Sequence, residues 1–286
     1  MRLSAKDDIV SLTPLNPFDR FDNGRPRVPD ALLEQLKNIT VTEAWNVMRK
    51  HDYHFQFAGD WVNLHPDQVM VGRALTATYM PLRPDLHDVV AAVGKREDRP
   101  WRHNYMVIDE VVKGDVIVAD MLGLTQEVFT GDNLVAGVIG QGGVGLVLDG
   151  GIRDAAGIYK LPINVFCRGF DPNAIADHTI ISLNGPTRIG RVAVLPGDVV
   201  LGSLEGVIFI PSHLVEEVIA SAKEERLLDD WRIMKMLEGK YRARQIYGVA
   251  IGHQGKPGDK RRGGIELPAV APEIERDYQE WKKRQG

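Results

Sequence analysis

The chain of 286 residues is 44% hydrophobic and 26% charged, which is ordinary globular usage and enough for a sizeable core. Its net charge of −4 excludes the overall basic character of a nucleic-acid-binding protein, and no apolar run approaches the length of a membrane helix. The single cysteine, Cys167, excludes an intrachain disulfide and favours a cytoplasmic location, where we expect it as a buried structural thiol.

Charge is distributed unevenly along the chain. Residues 239–286 carry eleven Lys or Arg and six Asp or Glu, a net charge of +5, whereas residues 1–238 carry −9. A basic segment beside an acidic body favours packing on a neighbouring subunit over binding to RNA. We therefore predict an N-terminal arm over 1–30, a main domain over 31–238 and a C-terminal helical extension over 239–286 at a subunit interface.

The first part of the chain alternates between helical and strand patterns. Prolines recur in residues 1–30, which predicts an extended arm, and Pro29-Asp30 is typical of a helix start. The patterns that follow predict helices over 31–36, from about Thr42 and from Pro84 to Val93, a strand over 69–79, a charged loop over 95–103, and strands over 106–112 and 115–120.

The run from Gly131 to Asp154 carries the most information. Gly131-Asp132 before an apolar run indicates a helix start, with Asp132 either as the N-cap or in the first turn, where its charge suits the helix dipole. The N–H groups of the next three residues would face outward and could bind a carboxylate or an enolate oxygen. These residues are Asn133, Leu134 and Val135.

The same run continues into a predicted strand and turn. Glycines from Gly140 onward end the helix, residues 144–148 predict a buried strand, and Asp149-Gly150-Gly151 predicts a turn at its end. Ligands in open α/β sheets bind at the carboxyl ends of strands, so the residues after this turn are candidate site residues. Apolar residues at helical spacing predict a buried stripe of Leu134, Val135, Val138 and Ile139.

Arg153 and Asp154 follow at this end of the predicted strand. Arg153 can donate two hydrogen bonds to a carboxylate, and Asp154 is a hard oxygen ligand. Mg²⁺ often takes one or two protein carboxylates and keeps several waters, one of which Asp132 could orient for proton transfer. The alternative interpretation is structural, because adjacent Arg and Asp on a turn are commonly solvated charges and an Asp at a helix start is commonly a cap.

The second half of the chain predicts mainly short strands. Two Gly-Asp turns enter strands, at Lys113-Gly114-Asp115 and at Pro196-Gly197-Asp198. Residues 252–264, rich in glycine and basic residues, are predicted to be mobile or ordered only by contact. The remaining predictions are strands over 162–168, 180–183, 191–194, 198–201 and 207–210, a loop over 169–177, a long helix over 214–237 capped by Ser212, and a final helix over 273–284.

The run around Arg153 resembles the signature of the RraA-like family, which includes regulator of ribonuclease activity A and class II 4-hydroxy-4-methyl-2-oxoglutarate/4-carboxy-4-hydroxy-2-oxoadipate aldolases. The shared pattern is Asp, twenty residues and then Arg-Asp on an Asp-Gly-Gly-Ile-Arg-Asp-like turn, which falls here on Asp132, Arg153 and Asp154. Family-like segments flank it at 113–120, 196–202 and 205–211, and the resemblance covers about residues 72–222.

The resemblance implies a fold and an assembly. We expect an α/β protein with a layered β/β/α, swivelling-domain-like core, in which residues 31–238 form the catalytic domain. It implies a homotrimer or a homohexamer with active sites between subunits, and a loop over 169–177 that helps close each site.

The resemblance also implies a chemistry. It places Mg²⁺ or Mn²⁺ at Asp154 and makes Arg153 and Asp132 the catalytic residues. Arg153 would bind a 2-oxo acid together with the amides of Asn133, Leu134 and Val135. The implied reaction is metal-dependent cleavage of a C–C bond that releases pyruvate, as a 4-hydroxy-4-methyl-2-oxoglutarate aldolase, an oxaloacetate decarboxylase or both.

The sequence departs from the family pattern in places. A family-typical Ser-Asp-Ala near the start of the domain is replaced by Val41-Thr42-Glu43-Ala44-Trp45. Family aldolases use a glutamate from a neighbouring subunit's C-terminal helix, and Glu224 and Glu225 lie in about the right region, although no motif selects one. Two alternatives stay open: a protein-binding inhibitor of an endoribonuclease, and a different lyase or hydratase of sugar-acid catabolism on the same scaffold.

Overall fold

The computed structural model describes residues 4–100, 102–174, 176–251, 266 and 268–285. Their contacts divide into two units, Met1–Glu217 and Val218–Gly286. The predicted domain boundaries after residues 30 and 238 stay predictions. Helices and strands alternate through the first unit, which confirms the predicted α/β class.

A mixed β-sheet forms the centre of the first unit. The strands in the described residues are β1 (Phe57–Ala58), β2 (Val62–Asn63), β3 (Met70–Pro81), β4 (Asp115–Thr130), β5 (Gly145–Ile152), β6 (Asn164–Cys167), β7 (Gly169–Phe170), β8 (His178–Leu183), β9 (Thr187–Ile189), β10 (Val192–Val194), β11 (Val199–Ser203) and β12 (Gly206–Ile210). The sheet order is β1-β12-β11-β3-β4-β5-β6-β2, with β7 beside β5 and β8 beside β3. Strands β3 to β6 pair in parallel, and β9 and β10 form a separate antiparallel pair.

Helices occupy the segments between these strands and near the chain ends. A 3₁₀ turn at Ser212–Leu214 precedes the longest helix. The helices in the described residues are α1 (Lys6–Leu12), α2 (Asp30–Leu36), α3 (Val41–Lys50), α4 (Pro84–Arg96), α5 (His103–Ile108), α6 (Asp132–Gly140), α7 (Ala155–Ile158), α8 (Val215–Leu237), α9 (Ala243–Ile246) and α10 (Pro272–Lys282).

Apolar clusters lie on both faces of the central sheet, because side chains alternate along a strand. On β5, Leu146 and Leu148 pack in a cluster with residues of α4, α5, α6 and α7. Val147 faces the other way and packs with Ile189 and Val194 of the small β9–β10 sheet. The first unit therefore has a helix layer, a central sheet and a second small sheet, which agrees with the expected β/β/α layering.

Most predicted elements are confirmed within a few residues. The helix expected from about Thr42 begins one residue earlier as α3, where Thr40 and Glu43 form a capping box. Cys167 is fully buried on β6, and burial raises the pKa of its thiol to about 11, which confirms the structural role. The confirmed elements include α2, β3, α4, α6, β6, β8, β10, β11, β12, α8 and α10.

Two predictions on either side of β4 are wrong. The strand expected over 106–112 is instead the helix α5 followed by a turn, because a short apolar run fits a buried helix as well as a strand. The turn expected at Asp149-Gly150-Gly151 is instead the end of β5. A side chain at Gly150 or Gly151 would collide with β4, so these glycines allow two strands to approach closely.

The N-terminal segment is also different from the prediction. The extended arm expected over 1–30 contains α1, so the prediction is wrong for residues 6–12. Arg25 is fully buried and pairs with the buried Asp115 at the start of β4, at 2.7 Å. Ser212 lies inside the 3₁₀ turn, whose N-cap is Pro211, so Ser212 is not at the cap position that was predicted.

The second unit has its own apolar cluster. Trp231 of α8 is fully buried and meets Tyr278 of α10 edge-on, with ring centroids 5.4 Å apart. The prediction for residues 252–264 lies outside the described residues, and placement of residues 239–286 at a subunit interface stays a prediction. In the described part of the chain, no helix is both long and apolar enough to cross a membrane.

Candidate active site

The candidate site lies where β5 ends and α6 begins. Irregular pairing beyond Asp120 brings Thr130, the last residue of β4, opposite Ile152 of β5. The amide of Arg153 donates to the carbonyl of Thr130 at 3.0 Å. The residues that follow the two strands, Gly131 and Arg153, therefore lie side by side, and the predicted site residues are brought together.

Asp132 is the first residue of α6, and Gly131 is the N-cap. One carboxylate oxygen of Asp132, Oδ1, accepts the N–H of Asn133 at 2.7 Å. The other oxygen lies against Gly157 of α7, because a methyl group at Gly157 would overlap it. Asp132 is therefore a first-turn residue rather than the N-cap, and its carboxylate lies between the two helices.

Arg153 and Asp154 are directly accessible. Their side chains are 41% and 50% exposed, and Nε of Arg153 lies 3.3 Å from Oδ2 of Asp154. Asp154 has a left-handed backbone (φ 56°, ψ 33°), and its carbonyl accepts the first hydrogen bonds of α7. Few residues adopt this conformation, and Asp is among those that tolerate it best. The exposed carboxylate of Asp154 and the exposed guanidinium of Arg153 therefore lie directly after the end of β5.

Gly131 packs directly against the side chains of Arg153 and Asp154. A β-carbon at Gly131 would overlap the Asp154 carboxylate and would come within 3.1 Å of Nε of Arg153. The sequence pattern predicted Gly131 only as part of a helix start and predicted no role for Gly157. No sequence signal distinguishes either position, because each glycine is required by a side chain that arrives from another part of the chain.

The amides at the start of α6 are not equivalent. The N–H of Val135 donates to the carbonyl of Gly131 at 3.1 Å as the first bond of the helix, so it is not available to a ligand as predicted. The N–H of Asn133 is held by Asp132. Within the described residues, only the N–H of Leu134 among these three has no hydrogen-bond partner. An anion would therefore meet the Leu134 amide and the positive end of the helix dipole.

The segment expected to close the site leaves the sheet beside Arg153. It was predicted as a loop over 169–177, but its first residues form β7, where Phe170 pairs with Ile152. The amide of Asp171 then donates to the carbonyl of Ile152 at 3.1 Å. This register places the start of the segment against the last residue of β5.

Substitution of Gly131 by alanine should separate placement of the carboxylate from stability of the fold. The new methyl group displaces the free end of the Asp154 side chain, which costs little folding energy. For an active site that uses Asp154, we expect a loss of about 10²-fold in kcat/KM, because a small misplacement of a catalytic group has effects of this size. Steady-state kinetics and a thermal melt check this result.

Gly137→Ala is the control, because the same substitution inside α6 meets nothing within 4 Å. It should leave activity unchanged and stabilise α6 slightly. Equal activity of the Gly131→Ala and Gly137→Ala variants would contradict the proposed importance of Asp154 placement.

Together, the fold and the site define an α/β protein with an exposed Arg-Asp pair and a helix N-terminus at the carboxyl end of a parallel strand. The RraA-like family model, described as Aldolase/RraA, matches residues 32–209. The chain belongs to the RraA-like family.

Relatives within this family carry two kinds of name. The chain is 32% identical over 161 residues to a putative 4-hydroxy-4-methyl-2-oxoglutarate aldolase of Halalkalibacterium halodurans, a match that covers 55% of this chain and 76% of that protein. It resembles the structure of Streptomyces coelicolor RraAS2, described as an unusual member of the RNase ES inhibitor RraA family, with 25% identity and a TM-score of 0.63. That match covers 76% of this chain and all of the other. An uncharacterised protein of Pseudomonas syringae shares the fold, at 19% identity and a TM-score of 0.64 over 80% of this chain and 96% of that one.

Proposed function

We propose that the protein is a divalent-metal-dependent lyase that cleaves a C–C bond of a 2-oxo acid and releases pyruvate. The observation that carries this proposal is the convergence of Arg153, Asp154 and Asp132 at one strand end. An exposed guanidinium, an exposed carboxylate and a second carboxylate share that place with an unpaired amide. The aldolase name of the Halalkalibacterium halodurans relative supports the same chemistry.

The donor set fits a hard cation that keeps most of its water. Asp154 would hold Mg²⁺ or Mn²⁺, because such ions need only one or two protein carboxylates. In the described residues, no group of three or more His, Cys, Asp or Glu side chains could hold a metal ion. A metal ion bound only by side chains of these types from the described residues therefore does not fit this site. When bound, the ion would polarise the 2-oxo group of the substrate as a Lewis acid.

Arg153 would bind the carboxylate of the 2-oxo acid through its two-pronged guanidinium. This orients the substrate with its 2-oxo group towards the start of α6. As the C–C bond breaks, its electron pair moves into the substrate to form the enolate of pyruvate. The N–H of Leu134 and the helix dipole would stabilise the negative charge that develops on the enolate oxygen.

Asp132 would move the proton. In a retro-aldol reaction on 4-hydroxy-4-methyl-2-oxoglutarate, its carboxylate would accept the proton of the 4-hydroxyl group as the C3–C4 bond breaks. The proton would then return to C3 of the enolate, which gives two molecules of pyruvate. In decarboxylation of oxaloacetate, the C4 carboxylate leaves as carbon dioxide and its bonding electron pair forms the enolate. No hydroxyl proton is removed, and C3 would take a proton from solvent by way of Asp132.

Pyruvate release from a panel of 2-oxo acids tests the proposal. The panel contains 4-hydroxy-4-methyl-2-oxoglutarate and oxaloacetate. Each substrate is incubated with the protein and Mg²⁺, and a coupled assay measures the pyruvate released. We expect pyruvate from at least one substrate, and its relative rates identify the leaving group that the site prefers. Absence of pyruvate from every substrate, with folded protein, would contradict the lyase function.

A second candidate function is supported by the similarity to Streptomyces coelicolor RraAS2, which spans the whole of that chain. A protein of that class would act by binding an endoribonuclease. Inhibition of a purified endoribonuclease by this protein, with no pyruvate-forming activity, would favour the second function. The Arg153→Ala variant separates the two, because it should strongly lower lyase activity without affecting a protein contact elsewhere.

A further inference from the structure

A cavity of about 390 Å³ lies in the first unit, away from the strand end that carries Arg153. We name it the N-terminal cavity. Its volume lies within the range of about 300–1,000 Å³ that is usual for small-molecule sites. The N-terminal segment forms one wall and the β10–β11 region another. Its lining includes Leu12, Pro14, Asn16, Tyr53, Ala193 and Asp198.

Part of the N-terminal cavity lies outside the segment that the family model matches. The family model matches residues 32–209, so the wall formed by residues 12–16 lies outside it. His213, on another wall, lies outside it too. The cavity therefore depends on parts of the chain that the family pattern does not specify.

Asp198 is the unusual residue in this cavity, and comparison with Asp115 shows why. The two residues occupy equivalent positions in the two Gly-Asp turns. Asp115 accepts the amide of Val112 at 3.0 Å, and Asp198 accepts the amide of Leu195 at 2.8 Å. Asp115 also has a charged partner, Arg25, at 2.7 Å. Within the described residues Asp198 has no charged partner, although it is only 6% exposed.

An acceptor oxygen near the cavity lacks a hydrogen-bond donor among the described residues. Oδ1 of Asn16 is buried and has no partner among the described residues, while its amide nitrogen is fixed by the carbonyl of Phe18 at 2.6 Å. Burial raises the pKa of Asp198 to about 7, because no cation offsets the loss of water. Burial and the nearby His51 lower the pKa of His213, which disfavours its positively charged form.

We propose that the N-terminal cavity binds a small organic cation, an ammonium group on an apolar body, with Asp198 as its counter-charge. An ammonium group carries only donors, and the cavity offers the Asp198 carboxylate as an acceptor. The apolar body would pack against Leu12, Pro14 and Ala193. The ion pair would take the place that Arg25 fills beside Asp115. This proposal does not depend on the lyase function.

Calorimetric titration of the full chain with 2-phenylethylamine tests the proposal. The matched neutral probe is 2-phenylethanol, which has the same body and no charge. We expect saturable binding of the amine at one site and binding of the alcohol at least about tenfold weaker, because a charged pair adds this much affinity. Equal affinity for the two probes, or no binding of the amine, would overturn the proposal.

Two variants locate the binding site. Asp198→Asn keeps an oxygen that can accept the Leu195 amide but removes the charge, so amine affinity should fall at least about tenfold. Ala193→Phe introduces a ring from an exposed position of β10 and should block both probes without disturbing the core. Unchanged amine binding by either variant would overturn the proposal. Arg153→Ala should bind the amine normally.

The pH dependence of amine affinity distinguishes a ligand-binding Asp198 from an aspartate with only a structural role. Tyr53 and His213 are the other titratable side chains that line the cavity. The amine needs the ionised form of Asp198, which dominates above pH 7 and is the minority below it. We therefore expect amine affinity to rise about tenfold from pH 6 to pH 8. The rise should be absent in Asp198→Asn, and a rise of equal size in that variant would overturn the assignment to Asp198.

Discussion

Replacing Arg153 by alanine is expected to lower kcat/KM for pyruvate release by about 10²–10³-fold, the loss typical of removing one group that stabilises charge in the transition state. The free energy of unfolding should change by less than about 1 kcal/mol, because the Arg153–Asp154 pair is exposed. Steady-state kinetics and urea unfolding measure the two effects separately.

Two variants make this prediction specific. Arg153→Lys keeps the charge but loses the two-pronged geometry, so we expect an intermediate loss. Arg83→Ala removes an arginine from another exposed Arg–Asp pair, with Asp85 at 2.7 Å, and should leave activity unchanged. If Arg153→Ala retained full activity, the pair would be only two solvated charges on the surface and the proposed mechanism would be wrong.

The second large effect concerns stability. Arg25→Ala should lower the free energy of unfolding by about 3–5 kcal/mol, because it leaves the carboxylate of Asp115 buried without the cation that pairs with it. The side chains of Arg25 and Asp115 are 1% and 0% exposed, and the guanidinium also donates to the carbonyl of Ala74 at 3.3 Å. Chemical denaturation of the full chain at pH 8 measures the loss.

The loss should depend on pH in a definite direction. Burial raises the pKa of the Asp115 carboxyl even with Arg25 present, and removal of Arg25 should raise it further. The folded state then holds a proton more tightly than the unfolded chain, so stability falls as the pH rises through the folded pKa. The deficit of Arg25→Ala should therefore be smaller at pH 5 than at pH 8.

A double variant tests whether the buried charge is the cause. Arg25→Met with Asp115→Asn removes both charges and fills most of the same space, so it should recover much of the lost stability. Wild-type stability of Arg25→Ala at pH 8, or an equal deficit in the double variant, would contradict the assignment of the loss to Asp115.

The sequence predicted the helix and the strand that carry the candidate site residues, because these elements are close in the chain. The helix from Asp132, the strand after it and the position of Arg153 at the strand end all depend on local periodicity and on a glycine-rich junction. These signals are contained in the run from Gly131 to Asp154, and the structure has them in the predicted order. Local patterns of this kind are read directly from spacing.

The errors arise where distant segments decide the outcome. Gly150 and Gly151 suggested a turn, but they are strand residues that need space against β4. Residues 106–112 were predicted as a strand, but a short apolar run does not distinguish a buried strand from a buried helix. The N-terminal segment was predicted as an extended arm because of its prolines. The sequence did not reveal that Arg25 pairs with Asp115, 90 residues away in the chain.

The details of the anion site also depend on contacts that the sequence does not contain. The pattern indicated three free amides at the start of α6. Asp132 occupies the amide of Asn133, and the first helical hydrogen bond uses that of Val135, which leaves the amide of Leu134. Capping geometry decides how these groups are shared, and the identity of the residues alone does not fix it.

The dependence of pyruvate release on the metal tests the central claim most directly. The fastest substrate of the 2-oxo acid panel is assayed with Mg²⁺, after EDTA treatment, and again after Mg²⁺ is restored. We predict that pyruvate release falls to the uncatalysed rate with EDTA and returns with Mg²⁺. A rate that is unchanged by EDTA, or no pyruvate from the folded protein in any condition, would contradict the proposed metal-dependent lyase.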